Sequence, residues 1–230
     1  MLPSRKLTWI LACAPCLVLV PVACTDTAGP GEGAGLEVHA SMRGSALAGG
    51  GADVLVEIDR VFLVVGRVKL EKAGTTANDF LDERSIVIEL EPGAGPLLAI
   101  SADVPAGAFK ELEIAIDKLE VGHPQEQALI DAYPGLGDAS VLIEGRVLDQ
   151  ATWKSFRFAT DLDVDLELSF DPPLLIDGAV RPTTLVSMML EVTGWFRDES
   201  GRLLDPRDPA NRSAIEANVQ RSIELFEGID

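Results

Sequence analysis

Trp153 and Trp195 are the side chains of this sequence whose placement most invites a binding role. In Trp153–Phe158, Phe156 and Phe158 share one parity, while Trp153, Ser155 and Arg157 share the other. In Thr183–Phe196, Leu190, Val192 and Phe196 share one parity; Glu191, Thr193 and Trp195 share the other, as does Arg197 just beyond. Successive side chains of a strand point to opposite faces, so both tryptophans are expected to project with the polar sets. An outward tryptophan on a sheet offers an apolar ring face on which a sugar can stack. Burial under a C-terminal helix, or a bulge that reverses the parity, is the competing placement. Tyr133, the only tyrosine, joins them as a contact candidate because it sits in Val121–Asp138, the longest irregular stretch, read as a variable loop.

The acids form a second set. Asp161, Asp163, Asp165 and Glu167 alternate with Leu162, Val164, Leu166 and Leu168. Their spacing is that of a solvated strand face, which also deters edge pairing. A calcium loop would need carboxylates converging from a curved backbone. Asp198, Glu199, Asp205 and Asp208 cluster about a hairpin and suit turn formation and helix capping. Asp161, Asp163, Asp165, Asp198 and Asp205 are the candidate calcium ligands, and no other cofactor is expected. His39 and His123 stand far apart, and no nucleophile motif accompanies them. Nothing singles out a carboxylate pair for glycoside hydrolysis, so the chain is read as non-enzymatic.

The elements that must hold these residues read as strands. Val104–Val121 is the clearest: the Pro105-Ala106-Gly107 turn leads into Leu112, Ile114 and Ile116 alternating with Glu111, Glu113, Ala115 and Asp117. Phe109 has the opposite parity, so a bulge near Lys110 is expected if all four apolar residues face the core. Further strands are expected at Leu36–Met42, in two segments of Val54–Leu70 with a bend at Gly66, and at Ser85–Leu90. Others follow at Val141–Leu148, Trp153–Phe158, Leu162–Phe170 and Thr183–Phe196, with Asp171-Pro172-Pro173 ending one run. Gly44–Gly51 and Ala73–Arg84 read as loops, and Asp198–Gly201 as a hairpin turn. Asp208 and Pro209 open a helix whose apolar face carries Ile215, Val219, Ile223 and Phe226, with Gly228 at its end. The expected fold is an antiparallel β-sandwich, transthyretin-like or immunoglobulin-like, over residues 36–205, with a C-terminal helix over 206–230 packed on it.

Before that domain, residues 1–23 read as an export signal: Arg5 and Lys6 precede the apolar run Leu7–Val20. Val20-Pro21-Val22-Ala23-Cys24 resembles a bacterial lipobox, with Pro21 at the position usually held by leucine. That resemblance implies lipidation of Cys24, and Thr25 after it implies sorting to the outer membrane. Residues 24–35 are a small-residue tether. All three cysteines, Cys13, Cys16 and Cys24, lie in this leader, so the domain has no disulfide. The net charge of −18 disfavours nucleic acid as a partner.

Val54–Glu120 resembles a bacterial lipoprotein family known as the domain of unknown function numbered forty-three eighty-two. The shared features are a strand like IDRVFLVVGRVKL, a strand like SIVIEL, and a run closing in VPAGAFKELEIAI. Phe109 and Ala115 replace the family's usual tyrosine and arginine. The resemblance implies an exported all-β lipoprotein and supplies no catalytic residues. Together these readings describe a membrane-anchored binding module for an extracytoplasmic glycan or protein. The alternatives are an envelope assembly protein, pairing by strand addition, or a hydrolase built on the sandwich.

Overall fold

The computed structural model describes residues 34–44, 47–49, 54–74, 79–177 and 184–228. The export signal, Cys24 and the tether up to residue 33 lie outside the described residues. In chain order the strands are β1 (Ala34–Arg43), β2 (Leu47–Gly49), β3 (Val54–Lys72), β4 (Phe80–Asp82), β5 (Ile86–Leu90), β6 (Leu97–Val104) and β7 (Gly107–Ile116). Helix α1 (Pro124–Ala132) follows, then β8 (Val141–Asp149), β9 (Thr152–Thr160), β10 (Val164–Ile176) and β11 (Thr184–Glu191). A 3₁₀ turn at Pro209–Asn211 leads into α2 (Arg212–Gln220), and β12 (Ile223–Glu227) closes the described chain.

These strands make two sheets. The smaller runs β12-β11-β1-β6, and the larger joins β10, β7, β3, β8 and β9, with β2, β4 and β5 also on β3. Apolar side chains of both inner faces fill the space between them, Leu36, Val38, Val186, Met188 and Leu190 from one and Leu63, Leu70, Leu112, Ile114 and Ile143 from the other. Each such fully buried side chain contributes about 1.5–3 kcal/mol. The fold is therefore an all-β sandwich with a helix near its C-terminus. One pair departs from the expected antiparallel pattern: β1 and β11 run parallel, Leu36 opposite Thr184 through Arg43 opposite Glu191.

Strand β3 organises the larger sheet. Val65 pairs with both Ile86 and Ile116, and Leu63 with both Ile88 and Val141. A strand residue has one partner on each side, so β7 and β8 lie end to end along one edge of β3, with β5 on the other. What reads as two strands in Val54–Leu70 is thus one strand of 19 residues. Its register shifts at Gly66, where a bend is expected from sequence, and again at Asp59. The unbroken apolar run Phe62–Val65 has a physical reason: both faces are covered there. Leu63 and Val65 enter the main core, while Phe62 and Val64 enter a second cluster with Leu119, Leu136 and Leu142.

The expected bulge at Lys110 is present. Glu71 pairs with Glu111 and Lys72 with Phe109, leaving Lys110 as the extra residue. Phe109, Leu112, Ile114 and Ile116 are consequently all buried.

Several segments differ from the sequence reading. Val121–Asp138 contains α1: Pro124 suits a first helical turn and Gln-Glu-Gln-Ala-Leu are helix formers. Its flanking prolines and glycines conceal it. Leu47–Gly49 and Phe80–Asp82 form short strands on β3 within stretches read as loops. The run into Asp171-Pro172-Pro173 does not end there: β10 resumes its pairing with β7 at Leu174, the register jumping from Ser169 to Leu174. The Asp171–Pro172 peptide is cis. At the other end, the tether gives way to β1 at Ala34, slightly earlier than expected.

The largest correction is at the C-terminus. The helix stops at Gln220, and Ile223–Glu227 pairs antiparallel with β11. Ile223 and Leu225 face the core, a period of two in IELFE that competes with the 3.6-residue period linking Ile215 to Phe226. Sheet pairing wins because β11 otherwise has an open edge. Ile215 and Val219 are buried as expected, and Asp208 accepts a hydrogen bond from the Ala210 amide at 2.9 Å.

Candidate functional site

Trp153 stands near the tip of the β8–β9 hairpin. The strands are joined by Gln150 and Ala151 alone, whose φ angles of 46° and 63° are both left-handed. Left-handed backbone at both central residues is the hairpin turn whose twist matches the strands. Phe156 and Phe158 point into the core, and Trp153, Ser155 and Arg157 point out. Trp153 is 41% exposed, and the Arg146 guanidinium lies 5.4 Å from its ring centroid. Arg146 is itself fixed by Glu57 at 2.9 Å. Its Nε stands 3.3 Å from Asp59 Oδ1, close enough for attraction but not aligned for a hydrogen bond. The result is an indole with a paired cation on one side, carried on a hairpin with a two-residue turn.

Trp195 does not share this exposure. Strand β11 ends at Glu191, so strand parity no longer applies four residues later, where the chain turns. Trp195 is fully buried in the main core, and its Nε1 donates to Ser222 Oγ at 2.6 Å. The Ser222 hydroxyl donates in turn to the Val219 carbonyl. Asn218 Nδ2 approaches the carbonyl oxygens of Gly194, Trp195 and Arg197 at 3.2, 3.1 and 2.8 Å. Trp195 is therefore a buried anchor tying its turn to the end of α2, not a contact residue. Gly194 immediately before it was the available sequence signal, since glycine weakens a strand interior.

Tyr133 is half-buried against Phe62, ring centroids 5.7 Å apart, on the far side of the larger sheet. Beside it Glu89, Arg60, Glu144 and Arg157 form an ion ladder across β5, β3, β8 and β9, with contacts of 3.3, 2.7 and 3.0 Å. Trp153, Trp195 and Tyr133 thus occupy three different environments.

The candidate calcium ligands do not converge. Asp161 pairs with Lys118 at 2.6 Å and Asp165 with Arg67 at 2.9 Å, while Asp163 is exposed in the link before β10. Asp198 accepts from the Ser200 hydroxyl and amide and from Arg202, as the turn requires. Asp205 is gripped by Arg207 at 2.6 Å. The hydrogen bonds from Ser200 and from Arg207 hold the Asp198 and Asp205 carboxyls below the ordinary carboxylate range. Among the described residues, no group of three or more His, Cys, Asp or Glu is placed to hold a metal ion. His39 lies 3.5 Å from Glu37, and His123 precedes α1.

One concavity gathers residues that the sequence analysis did not connect. A cleft of about 450 Å³ opens where the end of α2 and the Trp195 turn rise beside the smaller sheet. Met189 and Phe226 contribute apolar surface, and Arg43, Glu191, Arg221 and Glu224 contribute charge. These residues come from β1, β11, β12 and the end of α2, so no local pattern announces them. Comparison with protein-family models, with curated proteins and with solved structures finds no match to this chain.

Proposed function

We propose that this chain is a non-catalytic recognition module that is exported, anchored to the outer membrane through lipidated Cys24, and grips an extracytoplasmic glycan with Trp153. The exposed indole of Trp153 carries the reading. A large apolar ring held in solvent costs hydration free energy that a stacked sugar face would recover. The two-residue hairpin and the Arg146 contact hold that ring in place before any ligand arrives, which lowers the ordering cost of binding. The lipobox-like Val20–Cys24 and the resemblance of Val54–Glu120 to an exported lipoprotein family support the anchored location. Ion pairs or turn hydrogen bonds occupy Asp161, Asp165, Asp198 and Asp205, which supports glycan binding that does not depend on calcium.

The test is a glycan array probed with the chain carrying Cys24→Ser, and again with Trp153→Ala added. Saturable binding to one glycan class is expected, weakened at least about tenfold by Trp153→Ala and unchanged by chelation of calcium. Binding that survives Trp153→Ala intact overturns this siting. Absence of binding to any glycan overturns the reading in favour of an envelope assembly role, to be followed by cross-linking in cells. For the anchor, Cys24→Ser is expected to abolish incorporation of labelled palmitate; unchanged incorporation refutes it.

A further inference from the structure

We infer that the cleft beside α2 is a second binding site, distinct from Trp153, for a small zwitterion with an apolar body: an α-amino acid or short peptide. Among the described residues, most basic side chains of this acidic protein are neutralised by a carboxylate: Arg60, Arg67, Arg84, Lys110, Lys118, Arg146, Lys154, Arg202, Arg207 and Arg212 all are. Arg43 and Arg221 are not. The Arg43 guanidinium makes no hydrogen bond or ion pair among the described residues, and the Arg221 guanidinium reaches only Asn218 Oδ1 at 2.8 Å. Both line the same cleft.

For Arg43 the local backbone gives the reason. Arg43 sits directly opposite Glu191 in the β1–β11 register, where an ion pair would ordinarily form. The Glu191 carboxylate accepts from the Thr193 amide at 3.1 Å and fills the space over Gly44 that a Cβ would take. Gly44, at φ +100°, is what leaves that space open. Glu224 opposes Met189 in the β11–β12 pairing, and its carboxylate makes no hydrogen bond or ion pair among the described residues.

The cleft therefore holds two guanidiniums without carboxylate partners and two carboxylates, and Met189 and Phe226 line it with them. A plain anion would meet Glu191 and Glu224, and a plain cation would meet Arg43 and Arg221. A neutral apolar ligand would desolvate charges without pairing them. A zwitterion satisfies both sets: its carboxylate takes Arg43 and Arg221, its ammonium takes Glu224, and its side chain covers Met189 and Phe226. The volume is within the usual range for small-molecule sites.

Calorimetric titration of the full chain with leucyl-leucine, N-acetyl-leucyl-leucine and leucyl-leucine amide tests this. Leucyl-leucine is expected to bind, and each blocked form to bind at least about tenfold more weakly. Arg43→Gln is expected to weaken leucyl-leucine and to remove the disadvantage of the amide. Glu224→Gln is expected to remove the disadvantage of the acetylated form. Both residues are exposed, so neither variant endangers folding. Trp153→Ala is expected to leave all three titrations unchanged, which separates this site from the glycan reading. Equal binding of the three probes, loss in only one blocked form, or no heat up to about 10 mM overturns the zwitterion assignment.

Discussion

Ser140 and Leu162 exchange a reciprocal pair of hydrogen bonds: Ser140 Oγ donates to the Leu162 carbonyl at 2.8 Å and accepts from the Leu162 amide at 2.7 Å. Both residues are buried, and they meet where the larger sheet changes partners. The Ser140 amide bonds the Thr160 carbonyl, and its carbonyl accepts from the Val64 amide. One hydroxyl thus satisfies the backbone of the link between β9 and β10, at the seam where β8 succeeds β7 along β3. Ser140→Ala leaves a buried amide and carbonyl unpaired and is expected to cost about 2–3 kcal/mol. Urea unfolding should show a lower midpoint with an unchanged slope; a midpoint equal to wild type would mean the hydroxyl is dispensable.

Gly145 faces the bulge at Asp59. A Cβ there would stand 2.2 Å from the Glu57 carbonyl oxygen and within 3 Å of the Phe156 ring. The first contact is with backbone and cannot move aside. Gly145→Ala is expected to destabilise by about 3 kcal/mol or more. Thermal unfolding measures it, and a melting temperature within a degree or two of wild type would contradict the close approach.

Ala151 adopts φ 63° in the hairpin turn, a conformation that its Cβ disfavours. Ala151→Gly relieves that strain, partly offset by greater freedom in the unfolded chain. A net gain of about 0.5–1 kcal/mol is expected. The same turn presents Trp153, so any change in glycan affinity without loss of stability would report on how far the turn's geometry sets the indole's position.

Asp205 is held below the ordinary carboxylate range chiefly by its hydrogen bonds from Arg207, and Asp82 likewise by Arg84. A carboxyl depressed in the folded state contributes stability that is complete above its unfolded value, about 3.9, and is lost as pH falls through the lower folded value. Stability from these groups should therefore hold from neutral pH down to about pH 4 and decline below. Asp205→Asn is expected to cost about 1 kcal/mol at neutral pH and to flatten the acid limb. An acid limb identical to wild type would remove Asp205 from the account.

How much was legible in advance depended on the range of the physical cause. The bulge at Lys110 followed from parity alone, because Phe109 and Leu112 can share a face only if one residue is skipped. Gly66, Asp208 and the Asp198–Gly201 turn were legible for the same reason: steric freedom and side-chain capping act within a few residues. Helix α1 was hidden by its flanking breakers. Strand β12 was hidden because two periodicities overlapped, and only the open edge of β11 chose between them. Trp153 kept its outward parity because hairpin pairing continues past it, whereas Trp195 lost it because β11 ends first.

The sequence by itself determined the strand-rich character, the alternation that gives each strand a wet and an apolar face, and the local turns and caps. Those rest on backbone sterics and on the burial preference of single side chains. The tertiary structure alone decided which strands pair, that β1 and β11 run parallel, and that Trp195 is a buried anchor. It also brought Arg43, Arg221, Glu191 and Glu224 around one cleft. Those outcomes depend on contacts between segments well separated in the sequence, where competition for sheet edges and core volume, rather than local preference, sets the lowest free energy.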